Sequence, residues 1–190
     1  MRKIVVTEFL TLDGVMEDPG GAEKSAGGGW AFQFQRGPEG DRLKLDELMA
    51  SDALLLGRVT YQGFAAAWPS MTGEFADKMN GMTKAVVSTT LAKAEWSNSI
   101  LIREDIPGAI ARLKHEQGHD ILVAGSARLV QTLIAHDLVD EYRLMVYPVV
   151  LGMGKRLFAD GKDRRALKLV EARPVGTQGV VTLVYHPTRG

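Results

Sequence analysis

The feature that most constrains this chain is the stretch ILVAGSARLVQTLI, Ile121 to Ile134. A short apolar run, Ile121 to Ala124, ends in Gly125 and Ser126. Apolar residues then recur at Leu129, Val130, Leu133 and Ile134, the spacing of one helix face. The pattern reads as a buried strand, a tight turn and a helix, a unit that needs a sheet covered by helices. Gly125 lets the backbone turn sharply and Ser126 is placed to cap the helix. The free amides of Ser126, Ala127 and Arg128 are then available to a phosphate. An ordinary helix start with a serine cap is the plain alternative, because one Gly-Ser turn is a weak motif.

The unit has company. Lys3 to Leu12 is rich in β-branched and apolar residues and reads as an interior strand. Asp13 to Gly40 carries so many glycines, with Pro19 and Pro38, that it reads as a long mobile loop or lid. Asp41 to Ala50 reads as a helix with Leu45, Leu48 and Met49 on one face. Ala53 to Leu56 is a short strand, followed at once by Gly57, Arg58, Val59 and Thr60 and by a helix from Tyr61 that Pro69 stops. Ala85 to Val87 is another strand, ending in Ser88, Thr89 and Thr90, and Ile100 to Ile102 suits an edge strand. Ile106, Ile110 and Leu113 mark a helix that Gly118 terminates. Beyond Asp140 the pattern changes to strands: Tyr142 to Leu151, then Ala166 to Ala172 and Val180 to Tyr185 as a hairpin. The expectation is one α/β domain over residues 1–190, with a central, mostly parallel sheet, helices on both faces and a C-terminal antiparallel hairpin.

Composition removes several functions. The 23 basic residues equal the 23 acidic ones, so no broad charged field exists to capture nucleic acid. With no cysteine, disulfides, thiol catalysis and cysteine zinc sites are excluded. Glu8 interrupts the N-terminal apolar run before it could serve as a signal core, and no apolar stretch approaches a membrane span of roughly 20 residues. A soluble, cytoplasmic protein is expected. His115, His119, His136 and His186 show no metal-ligand spacing, so no metal is expected. Gly152-Met153-Gly154-Lys155 echoes a phosphate loop, but Val149 and Arg156 stand where that motif requires Gly and Ser or Thr. A bend between strands fits better.

Ligands of open α/β sheets gather outside the C-terminal ends of strands. Gly57, Arg58 and Thr60 follow one such end, Ser88 and Thr89 another, Gly125 and Ser126 a third, and their recurrence suggests a dinucleotide phosphate site. Glu8, Asp13, Asp41, Asp46 and Glu47 are the candidate proton donors. Asp41 is preferred, as a first-turn carboxylate able to face the sheet; a dipole-favoured surface aspartate is the alternative.

Taken together, Thr11-Leu12-Asp13-Gly14, Leu56-Gly57-Arg58-Val59-Thr60-Tyr61, Val87-Ser88-Thr89 and Val123-Ala124-Gly125-Ser126-Ala127 resemble the dihydrofolate-reductase-like superfamily. Leu138-Val139-Asp140-Glu141, Pro148-Val149-Val150-Leu151-Gly152 and Leu157-Phe158 add to the likeness, which spans nearly the whole chain. It is greatest to the RibD C-terminal domain family, the reductase domain of riboflavin biosynthesis. The resemblance implies a three-layer dihydrofolate-reductase-like fold and an NADPH-dependent reductase acting on a small heterocycle, most like 5-amino-6-(5-phosphoribosylamino)uracil. It implies that Gly57, Arg58 and Thr60 hold phosphates of NADPH, that Ser88 and Thr89 lie near its 2′-phosphate, and that Gly125, Ser126, Ala127 and Arg128 hold the pyrophosphate. Leu12, Asp13, Gly14 and Val15 would flank the nicotinamide, and ungapped counting sets Asp41 opposite the pterin-binding acid. The chain departs from the pattern in having Ser126 and Ala127 where dihydrofolate reductases tend to have glycines. It also has no cysteines for a zinc deaminase half. Dihydrofolate or pterin reduction, and a non-catalytic nucleotide-binding role, are the alternatives. The Pro148 to Phe158 segment is expected to pair subunits in a homodimer.

Overall fold

The computed structural model describes residues 1–158, 161 and 164–188. Strands β1 (Ile4–Thr11), β2 (Ser51–Gly57), β3 (Thr83–Val87), β4 (Ser99–Ile102), β5 (Asp120–Val123), β6 (Glu141–Tyr147), β7 (Leu167–Val175) and β8 (Val180–Pro187) form one sheet. Its order is β4-β3-β2-β5-β1-β6-β8-β7. The six strands from β4 to β6 run parallel, and β8 pairs antiparallel with both β6 and β7. Register is set by apolar pairs such as Val6 with Val123 and Leu55 with Val123. A one-residue slip would turn these side chains to the wrong face.

Helices α1 (Gly37–Met49), α2 (Arg58–Ala67), α3 (Glu74–Gly81), α4 (Ile106–His115) and α5 (Ala127–Ala135) cover both faces. Alternation along the strands divides the core. Ile4, Val6, Ala53, Leu55, Ile121 and Val123 face Ile110 of α4 and Leu129, Val130 and Leu133 of α5. On the other face, Leu54, Leu56, Val86 and Leu122 meet Leu48, Tyr61 and Met79 of α1, α2 and α3. A third cluster on that face joins Trp30, Met145, Tyr147, Val175 and Val180, with Phe9, Phe34 and Leu43 against it. These are the three layers that the dihydrofolate-reductase-like resemblance implies.

The structure revises several boundaries. The helix expected from Asp41 begins at Gly37, because Pro38 occupies the first turn, where its missing N–H costs nothing. α3 was not expected at all, although Glu74 and Asp77 in its first turn suit the helix dipole. β6 stops at Tyr147 rather than Leu151, since Pro148 cannot donate to the ladder. The Gly152–Gly154 segment is a bend, with φ of 72° and 111° at the two glycines.

The glycine-rich segment after β1 is held in place rather than loose. The Asp18 carboxylate accepts hydrogen bonds from the amides of Glu23 and Ser25, each at 3.0 Å, and Trp30 is 1% exposed in a short 3-10 turn. Two ion pairs, Glu17 with Lys155 and Asp13 with Arg156, tie the segment to the loop after β6.

Candidate functional site

The strand order creates a crevice. From β2 the chain moves through α2 and α3 toward the β4 edge, whereas from adjacent β5 it moves through α5 toward β6. α2 packs on one face of the sheet and α5 on the other, so their N-termini flank a topological switch point. The two turns there touch. The Gly57 amide donates to the Gly125 carbonyl at 3.4 Å, and a Cβ at Gly57 would lie 2.1 Å from Ser126 Oγ. A Cβ at Gly125, whose φ is 87°, would lie 2.6 Å from Thr60 Oγ1. Neither position has room for a side chain.

The predicted cofactor residues line the same sheet edge in the order Ser88 and Thr89, Gly57 to Thr60, Gly125 to Arg128, Leu12 to Val15. Three strand spacings of about 4.8 Å put roughly 14 Å between the outer two strand ends. Their roles differ in detail from the expectation. Ser126 occupies the N-cap of α5, but its side chain makes no capping bond and lies in the seam against Gly57. The Ser88 hydroxyl accepts from the amides of Thr90 and Leu91 at 3.2 and 2.9 Å, shaping its own turn, whereas Thr89 is exposed. Arg58 lies along α2 with Gln62 Oε1 3.1 Å away.

Around the β1 end, Leu12 is 65% exposed, whereas Val15 is fully buried, its amide donating to Thr11 Oγ1 at 2.9 Å and its carbonyl accepting from the Thr11 amide at 3.0 Å, so Val15 has no free polar atom for a ligand. The Asp13 carboxylate accepts from the Thr11 hydroxyl at 2.6 Å and from the amides of Leu151 and Gly152 at 3.2 and 2.9 Å. Led by the Thr11 hydrogen bond, these contacts hold its pKa down at about 2. Asp13 thus orders the loop after β6.

Asp41 is not a cleft residue. The helix starts four positions earlier, Glu39 is its first-turn acid, and the Asp41 side chain, 66% exposed, pairs with Arg36 at 2.6 Å. The carboxylate that reaches the sheet from α1 is Glu47. Its Oε2 accepts from Thr7 Oγ1 at 2.8 Å and from Lys44 Nζ at 2.7 Å, and Lys44 also donates to Thr7. Lys44 and Glu47 are 13% and 14% exposed. With Phe9, whose ring lies 5.3 Å from Lys44 Nζ and 5.2 Å from the Arg36 guanidinium, they set a polar and cationic group between two apolar clusters. A sheet face covered only for stability would be apolar there.

Glu8, the next residue of β1, points to the opposite face. It is 8% exposed, and its Oε1 accepts from the Gly125 amide at 2.6 Å. Burial pushes its carboxyl up to about 8, against the lowering effects of that hydrogen bond and of Lys44. Sequence reasoning named Glu8 and Glu47 among the candidate proton donors but preferred Asp41, and missed Lys44 and Thr7. The available signal was Thr7-Glu8 itself, a polar pair in the middle of a buried strand.

A cavity of about 600 Å³ lies at the other end of the sheet, lined in part by Arg2, Asp52, Asp77, Lys78 and Glu116. Arg2 and Asp52 form a structural ion pair there, and none of the predicted site residues reaches it. No helix among the described residues is long and apolar enough to cross a membrane, and no cluster of His, Asp and Glu among them suits a metal.

The RibD C-terminal domain model matches residues 2–181. The chain belongs to the RibD C-terminal domain family. Within curated proteins, YyaP of Bacillus subtilis (strain 168) is 33% identical over 190 residues, covering 97% of this chain and 95% of that protein. A putative riboflavin biosynthesis protein from Shewanella sp. PV-4 superposes with a TM-score of 0.75 at 19% identity, covering 98% and 99% of the two chains. Dihydrofolate reductase from Enterococcus faecalis superposes with a TM-score of 0.57 at 15% identity, covering 98% and 97%. The fold is therefore that of the RibD C-terminal domain and the dihydrofolate reductases, and the family is reductase-like.

Proposed function

We propose that this chain is an NADPH-dependent reductase of the riboflavin-biosynthesis type, delivering hydride to a C=N or C=O of a small heterocyclic substrate. The observation that carries the reading is the seam at the switch point. Two helix N-termini start side by side there, and neither glycine has room for a Cβ. The donor set fits a dinucleotide phosphate: the unpaired first-turn amides of α5 and α2, the Arg58 guanidinium and the Thr60 hydroxyl. In this reading Thr89, exposed at the β3 end, would meet the adenosine side, and Leu12, Asp13 and Gly14 would flank the nicotinamide. NADPH, when bound, supplies the hydride.

Lys44 is the proton-bearing group that α1 brings to β1, oriented by Thr7 and Glu47. Dihydrofolate reduction led by Asp41 has less support, since that carboxylate is bound to Arg36 and exposed. Exposed Val150, Met153 and Phe158, with Leu169 and Val170 on the β7 edge strand, support a homodimer through this side of the sheet.

The test is a fluorescence titration with NADPH. Wild type binds below millimolar concentration, and Arg58→Ala weakens binding about tenfold, the loss of one charge-assisted phosphate contact. Absence of wild-type binding in that range ends the reading. Binding without oxidation across pterin, ribosylaminopyrimidine and quinone substrates would favour a non-catalytic nucleotide-binding protein. Sedimentation showing only monomer at micromolar concentration removes the homodimer.

A further inference from the structure

One buried titratable group touches the cofactor turn and has no part in the chemistry above. Glu8 leaves β1 toward the α5 face, where its neighbours Ile4, Val6 and Leu10 are core residues. A carboxyl is costly at such a position unless it is needed or neutralised. Its hydrogen bond among the described residues is the one from the Gly125 amide, the residue at the centre of the seam. An ionised Glu8 would place a negative charge directly beneath the turn proposed to hold the pyrophosphate. A protonated Glu8 would fix the same amide without that charge.

We propose that Glu8 is a positioning residue that couples cofactor binding to proton uptake: its carboxyl fixes the Gly125 turn, and a dinucleotide phosphate binds there tightly only while Glu8 carries a proton. The inference rests on the NADPH reading above and adds a regulation of that site by pH.

The charged surroundings support one titrating group in the relevant window. α1 contributes Lys44, paired with Glu47 on the other face of β1. β6 contributes Leu144, opposite Glu8 in register, and β5 contributes the apolar Val123 and Ala124 before the turn. Arg58 and Arg128 stand at the starts of α2 and α5. Asp13 remains ionised, being held at about 2. Burial sets the Glu8 carboxyl at about 8, within the range where proteins are handled. The 2′-phosphate of the cofactor, with a second pKa near 6, is fully ionised above neutrality and adds no step there.

By linkage, a ligand that prefers protonated Glu8 draws in a proton on binding, and its affinity falls as pH rises through the carboxyl's titration. NADPH affinity measured from pH 6.5 to 9.5 is expected to fall about tenfold in wild type. In Glu8→Gln, whose amide oxygen still accepts from Gly125, the profile is expected to be flat, with pH 7 affinity near that of wild type. An unchanged slope in Glu8→Gln overturns the proposal. A second measurement needs no variant: calorimetric titration of wild type at pH 8 in buffers of different ionisation enthalpy must show net proton uptake. Binding without uptake overturns the coupling alone, whereas no binding at any pH overturns the cofactor reading as well.

Discussion

Gly57→Ala isolates the seam between the β2 and β5 turns. Gly57 has φ of −76° and ψ of 161°, an extended conformation that alanine adopts freely, so the substitution carries no backbone penalty. Its cost comes from the contact. The new Cβ would meet Ser126 Oγ at 2.1 Å, Ser126 Cβ at 3.0 Å and the Ser126 amide nitrogen at 3.2 Å. The hydroxyl can rotate away, but the Cβ and the nitrogen recede only if the two turns part by a few tenths of an ångström. Overpacking of this kind costs about 1–3 kcal/mol. A domain of this size loses about 2–4 °C of Tm per kcal/mol, so thermal unfolding should shift down by about 2–12 °C. Because the parted turns carry the proposed phosphate amides, the NADPH Kd should rise about tenfold, equivalent to 1.4 kcal/mol. Ser126→Gly removes both side-chain atoms from the path of the alanine, so the double variant should recover most of the loss in a double-mutant cycle. Wild-type Tm and Kd in Gly57→Ala, or strict additivity in the double variant, would refute the abutment of the two turns.

Lys84 is fully buried, donates to the carbonyls of Asn80 and Ser97 at 2.6 and 3.0 Å, and lies 4.2 Å from the Trp96 ring centre. Burial lowers its pKa to about 8. The unfolded chain therefore binds more protons between about 8 and 10.5, and stability should rise with pH there. Lys84→Met should lose that rise in urea unfolding measured at pH 8 and 10. Asp13→Asn should speed hydrogen exchange at the Leu151 and Gly152 amides, which the carboxylate now accepts from; unchanged protection would deny Asp13 its latching role. In wild type, the folded state's lowered Asp13 pKa makes this contribution complete above about 3.8 and lost as pH falls through about 2. On a substrate that is turned over, Asp41→Asn should leave kcat within twofold, whereas Lys44→Met should lower it about a hundredfold, the typical contribution of a positioned acid. The reverse ranking would restore Asp41.

The parallel part of the sheet was legible because β1, β2, β3 and β5 are largely apolar runs closed by glycine or hydroxyl residues, and the helix after Ser126 shows a clean apolar face. The turns at the C-terminal sheet edge were legible for the same reason: Gly57 and Gly125 mark turns that approach each other closely. The α1 side of β1 was not. Pro38 read as part of a loop, although its fixed φ suits a first helical turn, and that error moved Asp41 into a turn it does not occupy. Lys44 and Glu47 look like any solvated charge pair on a helix, and only the tertiary position of α1 sets them on Thr7. Glu8 was visible as a candidate donor, but its burial depends on β5 and β6 flanking β1, an arrangement that no local pattern encodes.

The division of the α1-facing side into two apolar clusters separates two tasks. Leu54, Leu56, Tyr61 and Met79 support the helix that presents Arg58, while Trp30, Met145, Tyr147 and Val175 support the aromatic wall beyond Lys44. Substitutions in clusters without shared neighbours add their effects independently. In the reductase proposed above, the wall beyond Lys44 can therefore be reshaped while the Arg58 end of the sheet keeps its geometry.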